Sequence, residues 1–132
     1  MREILFRGKF GNEWKYGFLS IEPKGLVIKE PYKNESSNVW HIDADTVGQY
    51  TGLTDKHGTK IFEGDIVKYG DTVHNVVFEQ RNGTAYFGLV YSTLETLSFG
   101  YYQDLKQIEV IGNIYDNPEL VGGEENDKRK NR

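Results

Sequence analysis

The chain has 132 residues, of which 20 are Asp or Glu and 16 are Lys or Arg, so its formal net charge is −4. No apolar run approaches the roughly 18 residues that a membrane-spanning helix needs. The absence of cysteine excludes a disulfide framework and a thiolate metal site.

Charge is distributed unevenly along the chain. Residues 1–48 carry seven basic and seven acidic side chains, whereas residues 49–123 carry five basic and ten acidic ones. The acidic second half argues against a broad phosphate-binding face there. The short apolar run at residues 4–6 is flanked by charges, so we expect no secretory signal and a cytoplasmic location.

Alternation of apolar and polar residues with a period of two dominates residues 1–48 and predicts β-strands. Two such stretches flank Gly11-Asn12, which predicts a β-hairpin. Residues 30–38 are polar and lack periodicity, so we expect a mobile loop there. The predicted strands of this half are residues 4–10, 14–18, 25–29 and 39–42.

Two tight bends are predicted in the second half, and Asp55, Gly58, Gly64 and Asp65 are their structural turn positions. The side chain of Asp can bond its own downstream backbone, and Gly accepts a positive φ, which is why these residue types favour turns. Asn82-Gly83 is a third turn signal, of the kind that joins two strands of a hairpin.

Further strands are predicted on both sides of these turns. Residues 92–106 fit a helical turn and a strand equally well. Pro118 ends the last strand, and we expect a disordered tail over residues 121–132. The predicted strands of this half are residues 66–69, 73–78, 84–91 and 108–114.

Many short strands and few helical signals predict an all-β fold, in which antiparallel strands form a partly open barrel or packed sheets. The length suits one domain or two small units that share a core. We therefore divide the chain into an N-terminal β unit over residues 1–48 and a C-terminal barrel-like unit over residues 49–120. The alternative is that the two units form a single domain.

Three segments of the chain are similar to one known family. Residues 1–7 read MREILFR, residues 49–67 read QYTGLTDKHGTKIFEGDIV, and residues 108–120 read IEVIGNIYDNPEL. These segments resemble the opening, the central signature and the closing segment of the YopX proteins of Gram-positive bacteria and their phages. The central run is long and specific.

The YopX resemblance implies a phage or prophage origin, a β-rich fold and self-association, within the cytoplasm of the bacterial host cell. It brings no established activity and no catalytic residues to carry over. Residues 64–114 also resemble, more weakly, a small SH3-like barrel, because Gly64-Asp65 leads into a strand that a hairpin follows. A fold of this kind does not fix a function.

Candidate chemistry is sparse. The histidines His41, His57 and His74 stand at no local spacing that a metal site uses, and His57 is better explained as a turn residue beside Gly58. The carboxylate pairs Asp43 with Asp45 and Glu63 with Asp65 share strand faces, yet carboxylates also accept backbone N–H bonds in bends.

Four glycines in and just before the central signature invite a phosphate-loop interpretation, but they match neither the P-loop nor the dinucleotide-binding pattern. We interpret their spacing as marking the turns of successive hairpins. The sequence therefore predicts no enzyme, no cofactor and no metal. The glycines concerned are Gly48, Gly52, Gly58 and Gly64.

The aromatic residues carry the strongest functional signal. Trp14, Tyr16 and Phe18 alternate along one predicted strand, which favours packing in the core or in a subunit interface. With nearby lysines they also fit a stacking platform for single-stranded nucleic acid. Trp40 is a further candidate interface residue. The lysines concerned are Lys15, Lys24 and Lys29.

These observations support one leading hypothesis, in which the protein is a non-catalytic module that binds phage or host proteins and assembles with itself. The alternative is single-stranded nucleic-acid binding through residues 1–48. A third hypothesis is a metal-dependent enzyme that uses His41, Asp43, Asp45 or Asp65. We expect no contact with membranes.

Overall fold

The computed structural model describes residues 2–30, 38–81, 83–92, 95–99 and 103–121. Within them the chain is almost entirely β-strand, arranged in antiparallel sheets that do not close into a barrel. The all-β prediction is therefore confirmed. The described residues include no helix long and apolar enough to cross a membrane.

Contacts divide the chain into two compact units, residues 1–52 and residues 53–132. The boundary predicted from the sequence, between residues 48 and 49, stays a prediction. The mobile loop expected over residues 30–38 and the tail over residues 121–132 lie for the most part outside the described residues, so the structure says nothing about them.

The first unit is built around a β-hairpin, as the sequence predicts. Strands β1 and β2 pair in the register Phe6↔Gly17 to Phe10↔Glu13, and Gly11 adopts φ +63° in the turn between them. Within this unit the strands follow the order β4-β3-β2-β1-β5. The strands of the first unit are β1 Phe6–Phe10, β2 Glu13–Glu22, β3 Gly25–Lys29, β4 Val39–His41 and β5 Asp43–Thr54.

The structure of strand β5 shows that the prediction of a hairpin turn at each of the four glycines is wrong. It runs for twelve residues without a turn, and Gly48 lies buried within it, paired with Arg7 of β1. Gly52 also lies within β5, with φ +88°, whereas Gly58 and Gly64 lie in turns. Gly48 and Gly52 therefore do not mark turns between hairpins.

The second unit contains a five-stranded antiparallel sheet in the order β10-β9-β8-β7-β11. Residues 95–98 of the ambiguous segment form a strand, and residues 105–107 form a single 3-10 turn, so parts of both interpretations are realised. The elements are β6 Lys60–Phe62, β7 Asp65–Tyr69, β8 Thr72–Arg81, β9 Thr84–Ser92, β10 Glu95–Ser98, the 3-10 helix Leu105–Gln107, β11 Ile108–Asn113 and the 3-10 helix Pro118–Val121.

The second unit holds a hydrophobic core of fully or almost fully buried side chains. Its members come from five of its strands and from the segment after β10, and partly buried rings such as Tyr91 pack against them. Burial of these side chains is the main source of stability for the sheet. The core residues are Ile61, Val67, Val76, Leu89, Phe99 and Ile108.

Candidate functional site

Strand β2 presents an aromatic row on one face of the first sheet. Trp14, Tyr16 and Phe18 occupy alternate positions and therefore point to the same side. Trp14 is half-buried, but 43% of Tyr16 and 57% of Phe18 remain accessible to solvent. The core interpretation of this row is therefore wrong for Tyr16 and Phe18, whereas the interface interpretation remains a prediction.

The opposite face of β2 explains why these rings point outward. Gly17 lies between them and is buried, and a Cβ atom at this position would overlap the carbonyl oxygen of Lys29. The end of β3 therefore passes directly over the backbone of β2 on that side. On the other side of β2, the side chains of Tyr16 and Phe18 are exposed to solvent.

Cationic side chains surround the aromatic row. The guanidinium carbon of Arg7 lies 4.6 Å from the centre of the Trp14 ring, and the ammonium nitrogen of Lys9 lies 5.4 Å from it. Lys29 stands directly opposite Phe18 in the β2–β3 register. We call this surface the β2 aromatic face; it comprises Arg7, Lys9, Trp14, Tyr16, Phe18 and Lys29.

Glu22 adds a negative charge at the end of this face. Its carboxylate lies 3.1 Å from the ammonium group of Lys29, and this hydrogen bond, with the positive charge of Lys29, lowers the pKa of Glu22. The pair is exposed to solvent, so it contributes little to stability. The β2 aromatic face therefore has both positive and negative charges beside its aromatic rings.

Trp40, the further candidate interface residue, and Lys15, expected beside the aromatic row, lie on the opposite side of the sheet. The ring of Trp40 packs 5.1 Å from that of Phe10, and its Nε1 donates a hydrogen bond to Glu30 at 3.1 Å. Lys15 lies over Trp40, with its nitrogen 3.9 Å from the ring centre. The cations beside Trp14 are Arg7 and Lys9, which were not predicted from the sequence.

In the second unit, Asp55 connects the turn after β5 to strand β11. Its buried carboxylate accepts hydrogen bonds from the backbone N–H groups of His57 at 2.8 Å, Thr59 at 3.0 Å and Val110 at 2.9 Å. Burial opposes ionisation, but these three bonds, that from Val110 first, outweigh it and lower the pKa of Asp55. Gly58 completes the turn with φ +82°.

Gly64 and Asp65 form the second tight bend. Gly64 has φ +93°, and the Asp65 carboxylate accepts a hydrogen bond from the N–H of Phe62 at 2.7 Å. The backbone of Gly64 donates to Val76 and accepts from Ile114, at 2.8 and 2.9 Å. These bonds assign both residues a structural part in the chain reversal.

The histidines do not assemble a metal site. His74 is buried, with its ring nitrogens 2.9 Å from the Val90 carbonyl oxygen and 2.8 Å from the Thr72 hydroxyl. His57 lies 2.9 Å from the Glu109 carboxylate. Over the described ranges, no three His, Asp or Glu side chains are grouped as a metal site would require.

The aspartates named for acid–base chemistry bond to backbone groups. Asp43 accepts from the N–H of Asp45 at 3.0 Å, and its carbonyl oxygen accepts from the Thr46 hydroxyl at 2.6 Å. The Asp65 carboxylate bonds to Phe62, as described above. The carboxylates of Asp43 and Asp65 thus each accept a hydrogen bond from a backbone N–H group nearby in the sequence.

A lysine-lined cavity in the second unit was not found from the sequence. It has a volume of about 350 Å³, and a neighbouring cavity of about 260 Å³ shares Lys56 and Lys106 with it. The three lysines come from distant segments, so no sequence motif marks them. We call it the lysine cavity; it is lined by Lys56, Lys68, Gly70, Lys106, Gln107 and Glu109.

Comparison with known proteins gives the family of this chain. The family description "YopX protein" matches residues 7–122. The chain belongs to the YopX family. The resemblance seen in three segments of the sequence is therefore confirmed. A comparison with curated proteins found no match.

Two solved structures share the fold of this YopX protein. Protein yopX from Bacillus subtilis is 21% identical, with a TM-score of 0.53 over 88% of this chain and 96% of the other. Protein EF1440 from Enterococcus faecalis is 23% identical, with a TM-score of 0.50 over 92% and 99% of the two chains. At this level of identity the similarity concerns the fold alone.

Proposed function

We propose that this YopX protein is a non-catalytic interaction module that associates with a second copy of itself through the β2 aromatic face. The observation that carries the proposal is the exposure of Tyr16 and Phe18 side by side on one strand. Aromatic rings are enriched at the centres of protein interfaces, where they contribute a large share of the binding energy. The proposal places the protein in the cytoplasm of a bacterial host, as a phage or prophage product.

The charges around the rings favour a second copy as the occupant. A two-fold interface brings the same surface together twice, so each surface must complement itself. The β2 aromatic face carries cations and rings, which attract one another across an interface, and the Glu22–Lys29 pair supplies both signs of charge. The β2 aromatic face can therefore complement the same face of a second copy.

Replacement of both exposed rings, Tyr16→Ser with Phe18→Ser, should weaken self-association. Loss of two aromatic anchors costs about 2 kcal/mol or more, which corresponds to a dissociation constant about 30-fold higher. Sedimentation equilibrium at micromolar concentration measures this change. Ile21→Ser is the matched control, because Ile21 is 84% exposed but lies on the other face of β2. A wild-type monomer, or equal effects of both variants, contradicts the proposal.

The second candidate function is single-stranded nucleic-acid binding at the same face. The specific observation in its favour is that Lys9 and Lys29 border the aromatic row, since such proteins combine stacking rings with cations that follow the phosphate backbone. The two functions differ in what the cations of this face contact, namely the phosphates of a nucleic acid or the aromatic rings of a second copy.

Replacement of two cations, Lys9→Gln with Lys29→Gln, separates the candidates. If this face binds nucleic acid, the affinity of the variant for a short single-stranded oligonucleotide should fall about tenfold at low salt, because two phosphate contacts are lost. The dependence of the affinity on salt concentration should also become weaker. Fluorescence anisotropy at two salt concentrations measures both quantities. The control variant, Lys15→Gln with Lys24→Gln, removes the same two charges outside the β2 aromatic face. Absence of oligonucleotide binding by the wild type at low salt removes this candidate.

A further inference from the structure

The lysine cavity brings together most of the Lys and Arg side chains of residues 53–121. Residues 53–121 contain five Lys or Arg side chains against ten Asp or Glu. Three of the five, Lys56, Lys68 and Lys106, line this one concave surface. Three ammonium groups on one concave surface create a locally positive potential, which attracts an anion.

Among the described residues that line the lysine cavity, Glu109 holds the only carboxylate, and this carboxylate is already engaged. It lies 2.9 Å from Nε2 of His57, and this hydrogen bond, followed by the charge of Lys56, lowers its pKa. Within the described residues, none of the three ammonium groups forms an ion pair with a carboxylate. The lysine cavity therefore retains an excess of positive charge.

Backbone hydrogen bonds fix the positions of all three lysines. The N–H of Lys56 donates to the Ile108 carbonyl oxygen at 2.9 Å, and that of Lys106 donates to the Asp104 carboxylate at 3.0 Å. Lys68 stands opposite Glu109 in the β7–β11 register. A ligand would therefore order only the lysine side chains, which keeps the entropic cost of binding low.

We propose that the lysine cavity binds the phosphate group of a small phosphorylated molecule. Ammonium groups bind phosphate oxygens as point charges, and Gln107 supplies an uncharged donor at the same surface. A volume of about 350 Å³ lies in the range of small-molecule sites. The surrounding acidic unit repels an extended polyanion, so the charge distribution favours a compact anion over a nucleic acid.

Titration of the full-length protein with inorganic pyrophosphate, followed by amide NMR, tests the proposal. Saturable shifts of the Lys56, Gly70 and Gln107 amides are expected. Lys68→Gln with Lys106→Gln should weaken binding about tenfold, whereas Glu109→Gln should tighten it about threefold, because it removes a repelling carboxylate. Both lysine side chains are exposed, so the double variant is expected to keep the fold.

Lys24→Gln with Arg81→Gln is the matched control, since it removes the same two charges outside the lysine cavity. Equal weakening in this control would show non-specific attraction and overturn the proposal. No saturable shift up to about 10 mM pyrophosphate, or tighter binding of a short oligonucleotide at these same amides, also overturns it. The proposal is supported if pyrophosphate binding is saturable and its affinity changes in the lysine-cavity variants but not in the control.

Discussion

Replacement of Asp55 by alanine is expected to lower the free energy of unfolding by about 4 kcal/mol. The variant leaves three backbone N–H groups, those of His57, Thr59 and Val110, without the carboxylate that accepts them. A hydrogen bond to a charged group contributes about 1.5–3 kcal/mol, and a buried donor that loses its acceptor is costly. Urea unfolding followed by circular dichroism measures the difference.

Two further variants show whether the effect depends on these bonds. Asp55→Asn keeps one carbonyl oxygen as an acceptor, so we expect a loss of about 2 kcal/mol, half that of alanine. Asp104→Ala is the control, because Asp104 is an exposed aspartate whose carboxylate accepts one backbone hydrogen bond, and its loss should cost less than about 1 kcal/mol. Similar losses for Asp55→Ala and Asp104→Ala would contradict the assignment.

The contribution of Asp55 should also depend on pH in a defined direction. Its pKa in the folded protein lies below the ordinary value of 3.8. A carboxyl group whose pKa is lowered by folding stabilises the protein fully above its unfolded pKa, and this stabilisation disappears as the pH falls through the folded pKa. The stability gap between wild type and Asp55→Asn should therefore be full at pH 7 and narrow below about pH 4.

The sequence predicted Asp55 as a turn residue because the information is local. An aspartate followed by Gly58 is a turn signal whose partners, His57 and Thr59, lie within four residues. The bond to Val110 spans 55 residues, and nothing in either segment indicates the other. Sequence reasoning thus found the turn but not its connection to β11.

The aromatic row shows the limit of periodicity. Alternation predicts that Trp14, Tyr16 and Phe18 share a face, and the structure places them so. Which face is covered depends on what crosses the strand, and here Gly17 admits the backbone of Lys29 on the opposite side. A period of two does not contain that information.

The lysine cavity and strand β5 depend on contacts between distant segments in the same way. Lys56, Lys68 and Lys106 are separated by twelve and thirty-eight positions in an acidic stretch, so their convergence follows from the pairing of β7 with β11 and not from a motif. Gly48 has the residue type of a turn but lies buried opposite Arg7, because β5 pairs with β1. Local propensity alone does not distinguish these two environments.

Replacement of Gly17 by alanine is expected to destabilise the β2–β3 pairing by about 3 kcal/mol. The new Cβ would overlap the carbonyl oxygen of Lys29 and lie 2.9 Å from its carbonyl carbon. Backbone atoms held in a sheet cannot move away as the end of a flexible side chain can, so the strands must separate locally. Urea unfolding, with hydrogen exchange of the Phe18 and Lys29 amides, measures the loss.

Gly11→Ala is the control for the Gly17 variant, because it adds the same methyl group in the adjacent turn, where nothing lies within 4 Å of the new Cβ. Its cost of about 1 kcal/mol comes from the positive φ of +63° alone. If Gly17→Ala is no more destabilising than Gly11→Ala, β3 does not pass close over β2. The outward orientation of Tyr16 and Phe18, on which the proposed interface depends, would then lose its physical cause.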